Sequence, residues 1–199
     1  MKIYAFLGRK LSGKDTCASL LIQDKLKNKK IKRLAFADQI KSALAIMFNV
    51  TDTDVFHDQS RKETEKIYGN YTARDLMCWY GSEMRKKFGD SFFSDIVRLM
   101  LKDALVDNYD AVVITDVRFI SEQNMIQLFG EQNENVVVQI FHVDRTRVLG
   151  PLPEDAPVSE KSVLSTLEHM KKYNIPFTTI DNNGDIEHLK RVYNTTHKV

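Results

Sequence analysis

The chain has 199 residues, of which 43% are hydrophobic and 28% charged, ordinary proportions for a globular protein. This length fits one domain, or one domain with a mobile insert, around a substantial core. The formal net charge is only +2 and no long basic tract accompanies it, which argues against a nucleic-acid-binding protein. Two cysteines are too few for a disulfide framework, and no apolar run is long enough to span a bilayer. We therefore expect a reducing, cytoplasmic location.

The first predicted strand is the apolar run at 3–7, which a loop framed by Gly8 and Gly13 joins to an amphipathic helix opening near Lys14. Glycine permits backbone angles that turn successive N–H groups around an anion, and the helix N-terminus adds its positive end. The Lys14 ammonium would reach the outer phosphates of a nucleotide. The context predicts a phosphate-binding loop; the alternative is a glycine-containing turn before a lysine-bearing helix.

The residue after Lys14 departs from the usual pattern of such loops. A Ser or Thr normally follows the lysine and ligates Mg²⁺ through its hydroxyl, whereas here Asp15 follows and the hydroxyl comes at Thr16. The loop therefore predicts a phosphate site and offers Asp15 and Thr16 as candidate metal ligands.

The rest of the chain alternates between predicted strands and helices. The further strands lie at 31–36, 110–115, 136–143 and 176–180. The further helices lie at 37–48, 73–87 with Thr72 as its cap, 91–106, 121–129, 162–173 and after 184. This alternation predicts a mostly parallel, three-layer α/β sheet of five strands.

Two stretches interrupt the alternation: residues 37–109, mostly helical but loop-rich at 49–71, and an exposed, proline-containing loop at 144–160. Both would leave the sheet near the carboxyl ends of strands, where open α/β folds bind ligands. We therefore expect a single domain over 1–199, with 37–109 as a helical insert and 144–160 as a loop beside the ligand.

Two polar residues stand where the buried strand 110–115 ends. Asp116 would meet the phosphate loop and hold Mg²⁺ directly or through water, unless it only caps a turn. Arg118, two residues on, would point the same way, and its guanidinium suits bidentate phosphate binding.

Cations occur in both interruptions of the sheet. Those in the insert would suit a second phosphate group, although each is equally well a surface charge: Lys41, Arg61, Lys62 and Arg74. Asp38 lies three residues before Lys41, on the same helix face, and would orient it. Arg145 and Arg147 in the loop would stabilise a phosphoryl group in transfer if the loop moves, and would otherwise be exposed polar residues.

Other reactive or aromatic residues are predicted to be structural. Cys17 and Cys78 each lie in an apolar helical segment and are predicted to be small core residues. The pair Trp79–Tyr80 favours a core position over a stacking platform for a base. The five histidines show no metal-ligand spacing, so a zinc site is not expected.

Several motifs occur along the chain in a fixed order: Gly8-x3-Ser12-Gly13-Lys14-Asp15-Thr16, Leu34-Ala35-Phe36-Ala37-Asp38-x2-Lys41, Ala73-Arg74-Asp75-Leu76-x4-Gly81-Ser82-Glu83, Ile114-Thr115-Asp116-Val117-Arg118-Phe119, Ser159-Glu160 and Asp181-Asn182-Asn183-Gly184. The set, spanning nearly the whole chain, resembles the phage-type deoxynucleoside monophosphate kinases, P-loop kinases that also place Asp after the lysine.

This resemblance implies a P-loop NTPase fold of the nucleoside monophosphate kinase type and Mg·ATP-dependent phosphorylation of a deoxynucleoside monophosphate, supplying DNA replication in a phage. The implied donor-binding residues are Gly8, Lys10, Ser12, Gly13, Lys14, Asp15 and Thr16. The implied acceptor-binding residues are Asp38, Lys41, Arg74 and Arg118, and the metal ligands are Asp15, Thr16 and Asp116. Lys14, Asp116, Arg118 and Arg145 would be catalytic, and 144–160 would be the lid.

The resemblance also implies which partners to expect and leaves two alternatives. The partner would be a small molecule, neither nucleic acid nor a membrane, and the candidate assembly is a homodimer. Animal-type phosphomevalonate kinase shares the Ser-Gly-Lys-Asp loop, the Asp-x-Arg and the Ser-Glu pair, and a non-catalytic nucleotide-binding module is the other alternative. Many phage enzymes have His two residues before the Ser-Glu pair, where this chain has Pro157.

Overall fold

The protein is described by a computed structural model over residues 1–196. Its strands are β1 (Lys2–Leu7), β2 (Ile31–Leu34), β3 (Lys66–Tyr68), β4 (Tyr71–Thr72), β5 (Ala111–Val117), β6 (Val137–Asp144) and β7 (Thr178–Asp181). Its helices are α1 (Lys14–Lys25), α2 (Asp38–Met47), α3 (Arg61–Thr64), α4 (Ala73–Phe88), α5 (Phe92–Val106), α6 (Ile120–Glu131), α7 (Thr146–Leu149), α8 (Val158–Lys172) and α9 (Ile186–Thr196).

Five strands form one sheet in the order β2-β5-β1-β6-β7, and every neighbouring pair is parallel. β1 is buried from Ile3 to Leu7 and β5 is buried except at Asp116, the apolar-on-both-faces pattern that a helix-covered parallel sheet requires. The predicted α/β fold with a five-stranded parallel sheet is confirmed.

The described chain divides into two compact units. The first comprises Met1–Ala35 and the chain from Ile96 on, and contains the five-stranded sheet. One cluster of its core joins α1 and α9 to the sheet, with the rings of Phe6 and Phe141 stacked 5.2 Å apart. This cluster fixes α1, the helix that opens at the end of the predicted phosphate loop.

The second unit, Phe36–Asp95, contains α2, α3, the β3–β4 hairpin and α4. α4 begins with a capping box, in which Thr72 and Asp75 bond to each other's backbone N–H groups, so the predicted Thr72 cap is confirmed. The stretch 49–71, predicted to be loop-rich, also contains a 3-10 turn at Thr53–Phe56. This turn is fixed by the burial of Val55 and Phe56, two apolar residues too isolated to give a periodic signal.

The core positions predicted for Cys78 and Trp79 are wrong, because both residues are exposed, Trp79 by 51%. α4 buries the stripe formed by Ala73, Leu76 and Gly81, and these two residues lie outside it. Cys17, in contrast, is fully buried as predicted.

The stretch 144–160 is more ordered than the predicted loop. β6 runs to Asp144, α7 makes one helical turn, and α8 begins at Val158 rather than at the predicted 162. The three prolines of this stretch fall between α7 and α8, where the chain has no regular structure, and the acidic Glu160 lies in the first turn of α8.

Within residues 1–196, no helix combines the length and the apolar character that crossing a bilayer would require.

Candidate functional site

The predicted phosphate loop, residues 8–16 (hereafter the phosphate loop), leads from the central strand β1 into α1. Gly13 is the N-cap of α1 with a φ of 93°, the left-handed region that favours glycine, and Lys14 is the first helical residue. In the strand order, the connection after β1 runs to β2 on one side of β1, and the connection after β5 runs to β6 on the other side. The loop after β1 therefore lies at a topological switch point. Open α/β sheets bind their ligands at such points.

Asn182, which directly follows β7, holds the loop from the other end of the chain. Its Nδ2 donates to the carbonyl of Ser12 at 2.8 Å, and its side chain is almost fully buried. A Cβ on Gly13 would lie only 2.3 Å from this Nδ2, so the glycine is required for both its φ and the close approach of Asn182.

Lys14 is buried, and its Nζ donates to the carbonyl of Arg9 at 2.7 Å. Burial, and then the positive charge of Arg118, lower the pKa of Lys14 to about 8 against the opposing effects of Glu160, Asp15 and Asp116. A cation that is desolvated in this way would be stabilised by a polyphosphate placed beside the loop.

Asp116 and Arg118 come at the carboxyl end of β5, next to β1 in the sheet. Ala5 pairs with Ile114 and Leu7 with Val117, so β5 carries one residue more than β1 at this place. Such a bulge re-aims the side chains beside it. Asp116 and Arg118 both act electrostatically on Lys14, so the structure brings these three predicted residues together.

Glu160, in the first turn of α8, links Arg118 to the phosphate loop. Its Oε1 accepts a hydrogen bond from Nη1 of Arg118, and its Oε2 accepts one from the backbone N–H of Lys10 at 2.7 Å. The Glu160 side chain is 7% exposed and that of Arg118 19%. The site therefore contains a buried carboxylate between a guanidinium and a loop amide.

The backbone of Arg118 is also held on both sides. Its N–H donates to Oε2 of Glu122 at 2.8 Å, and its carbonyl accepts from Oγ1 of Thr166 at 2.9 Å. The same Glu122 oxygen accepts from the N–H of Phe119 and caps α6. These contacts fix the point from which the guanidinium extends.

The stretch between β6 and α8 touches the phosphate loop and the turn after β7. Nη1 of Arg9 donates to the carbonyl of Gly150 at 2.7 Å, and the N–H of Arg147 donates to Oδ1 of Asn183 at 2.9 Å. Arg145 is the N-cap of α7, and its Nε is buried without a hydrogen-bond partner among the described residues.

The predicted acceptor residues Asp38, Lys41 and Arg74 lie in the second unit. Nζ of Lys41 donates to Oδ1 of Asp38 at 3.0 Å and lies 3.4 Å from Nδ1 of His57. Burial and the Lys41 charge lower the pKa of His57, which favours a neutral ring able to accept from Lys41. Arg74 lies 3.8 Å from Glu63, measured from Nε to Oε1.

Comparison with known proteins finds a relative that identifies the family of the chain. No family model matches the chain. A protein of Acanthamoeba polyphaga mimivirus, provisionally named a deoxynucleotide monophosphate kinase, is 32% identical over 141 residues, which cover 65% of this chain and 70% of the viral protein. The chain belongs to the deoxynucleotide monophosphate kinase family. This membership makes it a kinase-family protein, in agreement with its phosphate loop.

The metal ligands predicted for this member of the deoxynucleotide monophosphate kinase family do not form a closed protein site. Asp15 is 81% exposed and lies 3.8 Å from Arg33, and Thr16 is also exposed. Over residues 1–196, no three His, Cys, Asp or Glu side chains are grouped to hold a metal ion. Carboxylate and hydroxyl donors that do not form a closed site fit Mg²⁺, which takes one or two carboxylates together with substrate phosphates and waters.

Two residues of the candidate site, Glu160 and Asn182, were assigned no role from the sequence. Both occur in the motifs that carry the family resemblance, the Ser-Glu pair and the Asp-Asn-Asn-Gly turn. For Asn182 a signal existed, since a polar turn at the carboxyl end of a parallel strand faces the ligand edge of the sheet. For Glu160 the decisive fact is burial between distant segments, which a single sequence does not encode.

Proposed function

We propose that the chain transfers the γ-phosphoryl group of ATP to a deoxynucleoside monophosphate, forming ADP and the deoxynucleoside diphosphate for DNA synthesis, as the phage-type kinases do. The observation that carries this proposal is the phosphate loop, in which a left-handed Gly13 leads into a buried Lys14 close to Asp116 and Arg118. The provisional name of the mimivirus relative supports the choice of acceptor.

In this proposal the phosphate loop binds the donor. The N–H groups of the loop and the first turn of α1 would donate to the β- and γ-phosphates, and the Lys14 ammonium would exchange the Arg9 carbonyl for a phosphate oxygen. The loop residues concerned are Gly8, Lys10, Ser12, Gly13, Lys14, Asp15 and Thr16, of which Lys10 would act through its side chain because Glu160 accepts from its N–H. Mg²⁺, held by Asp15, Thr16 and Asp116, would neutralise charge on the phosphates.

The acceptor monophosphate would be bound by cationic side chains. Arg118 offers a planar guanidinium suited to bidentate phosphate binding, on a backbone fixed by Glu122 and Thr166. Arg74, and Lys41 oriented by Asp38, are the further residues proposed to bind the acceptor. Arg145 would stabilise the transferred group when the lid, 144–160, closes.

The proposed transfer needs no strong general base. An oxygen of the acceptor phosphate, already anionic at neutral pH, forms a bond to the γ-phosphorus while the bond to the β–γ bridging oxygen breaks, and that electron pair leaves with ADP. Lys14, Arg118 and Arg145 would stabilise the charge that spreads over the transferred group. Positioning and charge neutralisation therefore account for catalysis, and closure of the lid would exclude water as a competing acceptor.

A coupled assay of ADP formation tests the proposal, with ATP, Mg²⁺ and a panel of deoxynucleoside monophosphates, ribonucleoside monophosphates and phosphomevalonate. Turnover of one or more deoxynucleoside monophosphates is the expected result. Turnover of phosphomevalonate alone would make the chain a metabolite kinase. Binding of ATP without transfer to any acceptor would make it a non-catalytic nucleotide-binding module.

A further inference from the structure

Glu160 is connected to two different parts of the site through its two carboxylate oxygens. Oε1 accepts from the Arg118 guanidinium at the end of β5, and Oε2 accepts from the Lys10 N–H, 2.7 Å away in the phosphate loop. One rigid planar group thus fixes the position of Arg118 relative to the loop.

The Glu160 carboxylate is also ionised and held firmly. Burial by itself would raise its pKa, but Arg118, the Lys10 N–H and Lys14 outweigh burial and lower the pKa below its usual range. Charge-assisted hydrogen bonds in a buried place are shorter and stronger than neutral ones, so these contacts restrict the guanidinium.

The carboxylate does not stand in for a phosphate at Lys14. The Lys14 ammonium, which would reach the outer phosphates, bonds to the carbonyl of Arg9 instead. Glu160 engages the N–H of Lys10, near the beginning of the loop, and leaves the first turn of α1 to the donor. The contact is therefore compatible with a nucleotide on the loop.

The place of Glu160 in the chain adds a connection to the lid. It lies in the first turn of α8, directly after the proline-containing stretch, and Arg9 bonds to Gly150 at the other end of that stretch. Both ends of the stretch are thus tied to the phosphate loop.

We propose that Glu160 is a positioning residue, which holds the Arg118 guanidinium in register with the phosphate loop so that the acceptor phosphate meets the γ-phosphoryl group in line. This inference rests on the proposed function. It assigns Glu160 no contact with either substrate. Its loss should therefore lower the rate of transfer more than it changes binding of the donor.

The test compares Glu160→Gln, which removes the charge at nearly constant shape, with Glu168→Gln, the same change at an exposed position of α8. We expect Glu160→Gln to lower kcat by about 10- to 100-fold, the loss typical of a misplaced reacting group. The KM of the acceptor should rise, the Kd of ADP should change little, and Glu168→Gln should behave as the wild type. If the glutamine variant does not fold, Glu160→Asp replaces it, since it keeps the charge on a shorter side chain. It should likewise lower kcat and raise the KM of the acceptor while changing the Kd of ADP little.

A second readout does not depend on activity. In nitrogen-15 spectra of the nucleotide-free protein, the Arg118 guanidinium should show slowed rotation and slow proton exchange. Both should be lost in Glu160→Gln and kept in Glu168→Gln. The signal that disappears in Arg118→Lys identifies the Arg118 resonance. An unchanged kcat in Glu160→Gln would overturn the positioning role, and so would ADP binding about tenfold tighter, which would mean that the carboxylate competes with phosphate. If the wild type phosphorylates no deoxynucleoside monophosphate, the proposed function fails, while the spectra still decide whether Glu160 fixes Arg118.

Discussion

Replacing Gly13 by alanine tests whether Asn182 determines the shape of the phosphate loop. Gly13 has a φ of 93°, and an alanine Cβ there would lie 2.3 Å from Nδ2 of Asn182. The left-handed backbone costs an alanine about 1–2 kcal/mol, and displacing Asn182 from the carbonyl of Ser12 costs about 1–3 kcal/mol more. Together these terms should lower the free energy of unfolding by about 2–5 kcal/mol in Gly13→Ala.

A double-mutant cycle measures the coupling energy between Gly13 and Asn182. It compares denaturant unfolding of the wild type, of Gly13→Ala, of Asn182→Ala and of the double variant. Because Asn182→Ala removes the amide that the new Cβ would strike, Gly13→Ala should then cost only the backbone term, about 1–2 kcal/mol. Gly69→Ala reports that term alone, since Gly69 has a φ of 54° and no neighbouring atom within 4 Å of an added Cβ. An equal cost of Gly13→Ala with and without Asn182 would refute the reasoning.

Three further predictions concern the charged residues of the site. Lys14→Ala should lower the rate of ADP formation by about 10²-fold or more with the fold intact, and unchanged turnover would remove Lys14 from the mechanism. The pKa of Lys14 falls from 10.5 to about 8 on folding, so the unfolded chain binds more protons between these pH values. The free energy of unfolding should therefore rise with pH over this range, more in the wild type than in Lys14→Ala, as pH-dependent denaturation would show. Arg118→Ala should chiefly raise the KM of the acceptor in steady-state kinetics, and an effect confined to ATP would reassign Arg118 to the donor.

The parts of the site that were predicted from the sequence are those determined by local geometry. The spacing of Gly8, Gly13 and Lys14 defines a strand, a loop and a helix start within a few residues, and the helix does begin at Lys14. Asp116 and Arg118 lie at the carboxyl end of a buried strand, and parallel strands end at one edge of the sheet, so their proximity to Lys14 followed from topology.

The parts that were not predicted depend on contacts between distant segments. Asn182 reaches Ser12 across 170 residues of sequence, and Glu160 reaches Lys10 across 150. Nothing in the residues around Glu160 indicates that its carboxylate is buried. The errors at Cys78 and Trp79 have a related cause, because an apolar helix segment does not reveal which of its residues faces the core.

These distant contacts explain how the phosphate loop keeps a conformation that its own sequence does not favour. Leu11 has a φ of 62°, a left-handed conformation that costs a residue with a Cβ about 1–2 kcal/mol. Its side chain is 59% exposed, so burial of the side chain does not offset this cost. The residues on either side are anchored instead, Lys10 by Glu160 and Ser12 by Asn182. Strained backbone persists where its surroundings fix it, and a loop fixed in advance loses less conformational entropy when it binds a phosphate chain.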